Sequence, residues 1–420
     1  GRTNSNNGDL KGMNKGGTDA LIVKYDHHGN VEWKDSYGSS GNEMFYHVAE
    51  FSDCYIAVGQ YNGKENLIVK YNKANGKVLK DKRYLDAGLS SSRAIIIQAN
   101  SDDSFYVAAS SYDPTDGSIG PSYSKFDKNL DPVWTQHLHQ SGDSGVTAIY
   151  GLDIGENSGD IYVTGKFGKA TGAFAGLQAK GSMDAFVLRA SATNGKVKWI
   201  KSFTGTDVDD GRQVAETLDG SIIVIGRTMS GDGDFAGMKK PLDNRSFASG
   251  SIASDSAYRR QDGWVARMNA SNGKVEKIKT IGGGGYDNLR YLMRMKDGSF
   301  LISGDTASLD GDFSGRVVKD NGYSDTVWIK MDKNLNITWI SILGGNNDDA
   351  TQSGIELPDG SIVVAGETKS TTGDFAGLNN GGQDAFIARL NADGELEMYP
   401  HDEMISQIKY DFTWSDGNKE

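Results

Sequence analysis

Carboxylates in short glycine-rich segments are the residues of this chain best placed to do chemistry. Asp232 and Asp234, Asp310 and Asp312, and Asp374 recur in segments that end Gly-Asp-Phe. Oxygen-rich loops can hold Ca2+, so a calcium ion on one of these loops is one expectation. The segments are far shorter than an EF-hand loop and lack its terminal glutamate. The same Asp side chains also suit the capping of turns, by accepting nearby backbone N–H groups. A second set is aromatic. Tyr112, Phe247, Tyr258, Tyr286 and Tyr323 occupy loop positions that do not repeat, where rigid rings anchor proteins or stack on sugars. Phe247 and Tyr258 lie in the longest insertion, between Arg227 and Gln261. Glu216 and Glu356 hold corresponding places in two repeats and could approach a shared centre. No His-Glu-x-x-His, G-x-S-x-G or phosphate-loop signature is present. No catalytic residue is assigned, and the weight falls against an enzyme.

The elements that must position these residues are short strands. One seven-residue pattern recurs as DALIVKY, ENLIVKY, PSYSKFD, DAFVLRA, DGWVARM, DTVWIKM and DAFIARL, with a Lys or Arg near each end. Its alternation has the two-residue period of a strand. Around it fall three further strand candidates per copy, bounded by Asp-Gly and Gly-rich turns. The four are named a, b, c and d in chain order, and the quoted pattern is c. Strand d often carries a tryptophan in one place (Trp33, Trp134, Trp199, Trp339). Repetition gives these Trp residues a role in packing one unit on the next. The recurrent basic residue should lie over that packing or pair with a carboxylate.

Such repeats predict an all-β fold: a seven-bladed β-propeller of four-stranded antiparallel blades, with six or eight blades as the alternative. The approximate units are 44–84, 92–138, 146–203, 211–281, 288–343 and 350–399. A composite blade from 1–37 plus 405–420 closes the ring, because Gly1-Arg2-Thr3 aligns with Gly366-Glu367-Thr368 and residues 405–414 read as an a strand. The whole of 1–420 is then a single domain. The b–c connections vary most in length and share a face with the d–a loops, which makes that face the expected site of ligand contact. Against 44 Lys and Arg stand 56 Asp and Glu, a net charge of −12, with no basic stripe. That excludes a general nucleic-acid binder. No apolar run reaches membrane-spanning length, so no direct membrane insertion is expected. One cysteine, Cys54, rules out an intramolecular disulfide framework.

The repeated GDFAG, GG-x-DAFIARL and DGSIVVAGET segments resemble the β-propeller repeats of secreted and cell-surface bacterial proteins. Phe174, Phe235, Phe313 and Phe375 mark the loop motif in four copies, and Leu10 replaces the Phe in the N-terminal fragment. The resemblance implies an extracellular location and a module for ligand binding or adhesion, with a glycan or an extracellular protein as partner. A structural spacer and a polysaccharide hydrolase or lyase are the other functions it allows. A monomer is expected, with no cofactor beyond the Ca2+ already considered.

Overall fold

The computed structural model describes residues 1–6, 10–26, 30–85, 91–100, 102–112, 119–138, 147–238, 261–316, 322–379 and 382–397. Seven sheets follow one another along the chain. The first holds β1 (Arg2–Thr3), β2 (Asp19–Tyr25) and β3 (Val31–Tyr37). Next come β4 (Met44–Glu50), β5 (Cys54–Tyr61), β6 (Glu65–Asn72) and β7 (Val78–Tyr84). The third sheet is β8 (Ser91–Ala99), β9 (Phe105–Tyr112), β10 (Ile119–Phe126) and β11 (Pro132–His137). The fourth is β12 (Thr147–Ile154), β13 (Ile161–Phe167), β14 (Asp184–Ala190) and β15 (Val197–Phe203). β16 (Asp209–Glu216), β17 (Ser221–Thr228), β18 (Asp262–Asn269) and β19 (Val275–Ile281) form the fifth. β20 (Asp287–Arg294), β21 (Phe300–Thr306), β22 (Asp325–Met331) and β23 (Ile337–Leu343) form the sixth. The seventh has β24 (Asp349–Glu356), β25 (Ile362–Thr368) and β26 (Asp384–Leu390).

Each strand pairs antiparallel with its chain neighbour, and the first strand of a sheet touches the first strand of the next. The molecule is therefore a seven-bladed β-propeller, with a strands around the axis and d strands at the rim. After β26 the expected fourth strand is reduced, among the described residues, to one bridge between Leu390 and Leu396. The a strand expected over residues 405–414 lies outside the described residues. At the other end, the Gly1 carbonyl accepts the N–H groups of Leu21 and Phe45, which fastens β1 between two blades.

The hydrophobic core is divided into layers, each between two successive blades. Ile223, Ile225 and Val265 of the fifth sheet pack on Leu289, Leu292 and Ile302 of the sixth. Val187 and Tyr162 of the fourth pack on Val224 and Trp264 of the fifth. Middle strands are buried on both faces, which explains their nearly continuous apolar runs. The rim tryptophans work as the repeat implies. Nε1 of Trp33, Trp134, Trp199 and Trp339 donates to the carbonyl of Lys73, Ala192, Ala270 and Ala392, each in the c–d turn of the following blade. The Trp199 ring packs close against Gly273, where φ is 69° and a Cβ would sit 2.8 Å from the ring. Glycine is needed there for its backbone and for its missing side chain. The recurrent basic residue of strand c pairs as expected: Arg189 with Asp160 at 2.6 Å, Lys330 with Asp297 at 2.9 Å and Arg267 with Asp219 at 3.1 Å.

Candidate functional site

The acidic loop residues hold the long-loop face together. Asp232 accepts the Thr206 N–H at 2.8 Å, and Asp234 accepts the Thr204 N–H at 2.7 Å. Asp310 accepts from the Gly284 N–H at 2.6 Å, Asp312 from Gly282 at 3.0 Å and Asp374 from Gly344 at 2.9 Å. Each bond ties a b–c loop to the d–a loop entering the same blade. The Gly-Asp-Phe segments form single 3-10 turns that drive Phe235, Phe313 and Phe375 into the core between blades. Among the described residues, no three His, Cys, Asp or Glu side chains converge as metal ligands.

The aromatic candidates separate. Tyr112 is 41% exposed at the end of β9, and Tyr323 is half-buried just before β22. Tyr286 is only 2% exposed. The expectation of a displayed ring is corrected for Tyr286, because its d–a loop folds the ring inward to pack with Ala307. Phe247 and Tyr258 lie outside the described residues. Glu216 is also buried and faces a neighbour: it accepts the N–H groups of Asn157 and Ser158 and the Tyr162 hydroxyl, at 2.9–3.1 Å. Glu356 likewise accepts the Lys296 N–H at 2.7 Å. Both pin the a–b turn of the preceding blade.

A different constellation lies at the long-loop end of the inner strands, around the propeller axis, and a recurring backbone irregularity builds it. In every described inner strand the register slips by one residue: at Tyr46 in β4, Ile95 in β8, Tyr150 in β12, Arg212 in β16, Arg290 in β20 and Gln352 in β24. A bulge leaves its extra residue out of the ladder and re-aims its side chain. In most blades the partner strand carries a glycine opposite the slip: a Cβ on Gly165, Gly226 or Gly304 would lie 1.9–2.0 Å from an inner-strand carbonyl oxygen, although the third blade makes the same slip opposite Ala109. Immediately after that glycine, strand b carries a second variable residue: Lys166, Arg227, Asp305 or Glu367. The repeat thus supplies a fixed frame with two freely varied positions per blade, both near the long-loop end.

Between the fourth and seventh sheets these positions form one polar arc. Arg212 and Arg227 grip the carboxylate of fully buried Asp210, through Nε of each at 2.8 and 2.6 Å. The Arg212 guanidinium lies 4.5 Å from the centre of the Tyr150 ring, and the Lys166 ammonium lies 5.8 Å from it. Arg227 also donates to Gln261 at 2.8 Å. On the next blade Arg290 donates through Nε to Asp305 at 2.5 Å, and Asp305 further accepts the Thr351 N–H of the following blade. Burial raises the Tyr286 phenol above its ordinary pKa. The Asp305 carboxylate raises it further, while Arg290, Arg227 and Arg212 act in the opposite direction. Burial also holds the Asp305 and Glu367 carboxyls above the usual range, with Arg290 opposing the rise in both.

Residues 357–398 match the family model of a β-propeller domain of unknown function (DUF5122). No curated protein sequence matches the chain. Among solved structures, the chain is similar to BamB from Moraxella catarrhalis, at 13% identity and TM-score 0.39, over 83% of this chain and 77% of that one. It is similar to levansucrase of B. megaterium, at 12% identity and TM-score 0.37, over 77% and 87%. Similarity to a GH43 endo-arabinanase from Bacillus licheniformis has 12% identity and TM-score 0.35, over 84% and 97%. The expectation that weighed against an enzyme is corrected by these matches. Enzymes stand among the similar structures, so repetition gives no ground for excluding catalysis. Likeness at this level assigns no activity to the chain.

Proposed function

We propose that the chain is a ligand-binding propeller of a secreted or cell-surface bacterial protein, which takes a glycan or an extracellular protein segment at the mouth of its axial channel. The observation that carries this reading is the arc of Tyr150, Arg212, Arg290 and Gln352 with Lys166, Arg227, Asp305 and Glu367. It is a unique set of side chains on a frame that otherwise repeats. Folding alone requires no such variety at equivalent positions, whereas recognition of an asymmetric ligand does. Tyr112 and Tyr323 are proposed as outer contacts, and so are Phe247 and Tyr258, which lie outside the described residues. The calcium considered for Asp232, Asp234, Asp310, Asp312 or Asp374 is not part of this reading, since each of those carboxylates already accepts an N–H group. Among the described residues, no helix is long and apolar enough to cross a membrane.

One observation favours a second reading, a polysaccharide hydrolase or lyase. Asp305 and Glu367 come from adjacent blades, both feel Arg290, and both hold protons more tightly than an exposed carboxylate. Acid–base chemistry on a glycosidic bond needs a pair of this kind. The test is a glycan and matrix-protein array with the native chain and with Gln352→Ala, followed by reducing-end assays on any polysaccharide that binds. Binding weakened at least tenfold by the substitution supports the mouth as the site. Undiminished binding moves the site elsewhere. Chain cleavage that disappears in Glu367→Gln establishes the second reading.

A further inference from the structure

Four cations of the arc keep donors that no other described residue uses. Arg290 is bound to Asp305 through Nε alone, so among the described residues both Nη atoms make no hydrogen bond. Arg212 engages Asp210 through Nε and Nη2 and leaves Nη1. Arg227 uses Nε and Nη1 and leaves Nη2. Lys166 makes no ion pair among the described residues and rests over Tyr150. Roughly a third of the Arg290 side chain reaches solvent (32%), and a fifth of the Arg212 side chain does (21%). A guanidinium fixed by one carboxylate at Nε offers its remaining edge, already oriented, to a second planar anion. Four cations against Asp210, Asp305 and Glu367 leave the arc slightly positive in a chain of net charge −12. This local reversal of sign focuses an anion at the mouth.

The geometry points to a sugar carboxylate: we infer that the channel mouth binds a uronate unit of an acidic glycan, with Arg290 receiving the carboxylate and Arg212, Arg227 and Lys166 surrounding it. This rests on the mouth being the binding site. The charges of Asp305 and Glu367 would repel a second anionic group, and Glu367, which is only half-buried, would accept hydrogen bonds from hydroxyls. The Gln352 amide adds a donor and an acceptor on the next blade. The arc thus suits one carboxylate set among hydroxyls, rather than a polyphosphate or a run of acidic residues.

The test is calorimetric titration of the full chain with oligogalacturonate, with its methyl ester, with a neutral malto-oligosaccharide and with polyglutamate. Removing one charge-assisted bidentate contact should weaken binding roughly 10- to 100-fold. Oligogalacturonate should bind, its ester should be weaker by that factor, and Arg290→Lys, which keeps the charge but not the fork, should lose a similar factor. Arg212→Gln serves as an independent variant, and the ester comparison needs no substitution at all. If the ester or the neutral sugar binds as tightly as the acid, the carboxylate inference fails while the mouth as a binding site survives. Tighter binding of polyglutamate overturns the choice of a sugar. If none of the probes binds, the inference falls, and the mouth reading falls with it only if the broader glycan and protein array is also silent.

Discussion

Raising the pH should weaken the fold, because the junctions between blades bury carboxyl groups in pairs. Asp325 opens β22 and Asp349 opens β24 of the following blade. Gly344 is wedged beside Asp325, where a Cβ would sit 2.0 Å from Oδ1. Asp349 accepts the Thr368 and Ser370 hydroxyls at 2.5 and 2.8 Å, but Oδ1 of Asp325 has no hydrogen-bond partner among the described residues. Burial, and then the charges of Asp349, Asp374 and Asp348, push the Asp325 carboxyl up to about 8. The corresponding Asp209 and Asp287 are pushed up to about 7, and Asp349 to about 6, each mainly by burial. A carboxyl with a raised folded-state pKa binds its proton when the unfolded chain has released it. Stability then falls with pH from near the unfolded value of 3.8 up to the folded value.

Each tenfold difference in proton affinity between the folded and unfolded chain corresponds to about 1.4 kcal/mol. Between about pH 5.5 and 7.5, Asp325 alone should therefore cost about 3 kcal/mol, and Asp209 and Asp287 should add to the slope. Asp325→Asn keeps the shape and has no proton to lose. Its stability by urea denaturation should match the native chain near pH 5.5 and exceed it by about 3 kcal/mol near pH 7.5. A native chain whose stability is flat or rises over that range, or a variant with an unchanged slope, would refute the reasoning.

The remaining predictions concern the repeat and the loops. Gly226→Ala places a Cβ 2.0 Å from the Asp210 carbonyl oxygen and 2.6 Å from the Trp264 ring, so it should cost at least about 2 kcal/mol and displace Arg212; circular dichroism melts read the first effect and loss of ligand binding the second. Trp199→Phe keeps most of the rim packing and removes one of two donors to the Ala270 carbonyl, which Arg189 Nη1 still serves at 2.9 Å, so it should cost no more than about 1 kcal/mol by urea denaturation. Since Asp310 and Asp312 are committed to N–H groups of the d–a loop, a chelator should leave the melting temperature unchanged; a rise of several degrees with added calcium would restore the loop metal site.

The architecture is legible in the sequence because a propeller repeats its own evidence. Each c strand announces itself with the same alternation, and the rim tryptophans and turn glycines fall at fixed offsets, so ambiguity in one copy is removed by the others. That redundancy also explains why the acidic loops draw the eye as a metal site. Asp234, Asp312 and Asp374 recur in the fifth to seventh blades, and in each they do the same work, the tying of two loops. The mouth of the channel shows the opposite signature. Its residues follow a glycine in strand b or occupy a bulge in strand a, and their identities change from blade to blade. The glycine is visible in the sequence. What is not visible is that the inner strand opposite it bulges, even in the third blade where Ala109 takes its place, and turns a ladder position into a displayed one, since a one-residue slip in register leaves no mark on hydrophobic periodicity. In a closed repeat protein, then, the part of the unit that recurs unchanged reports the fold. The positions that break the repeat while the backbone keeps it, as Arg290 and Gln352 do, are where a ligand should be sought.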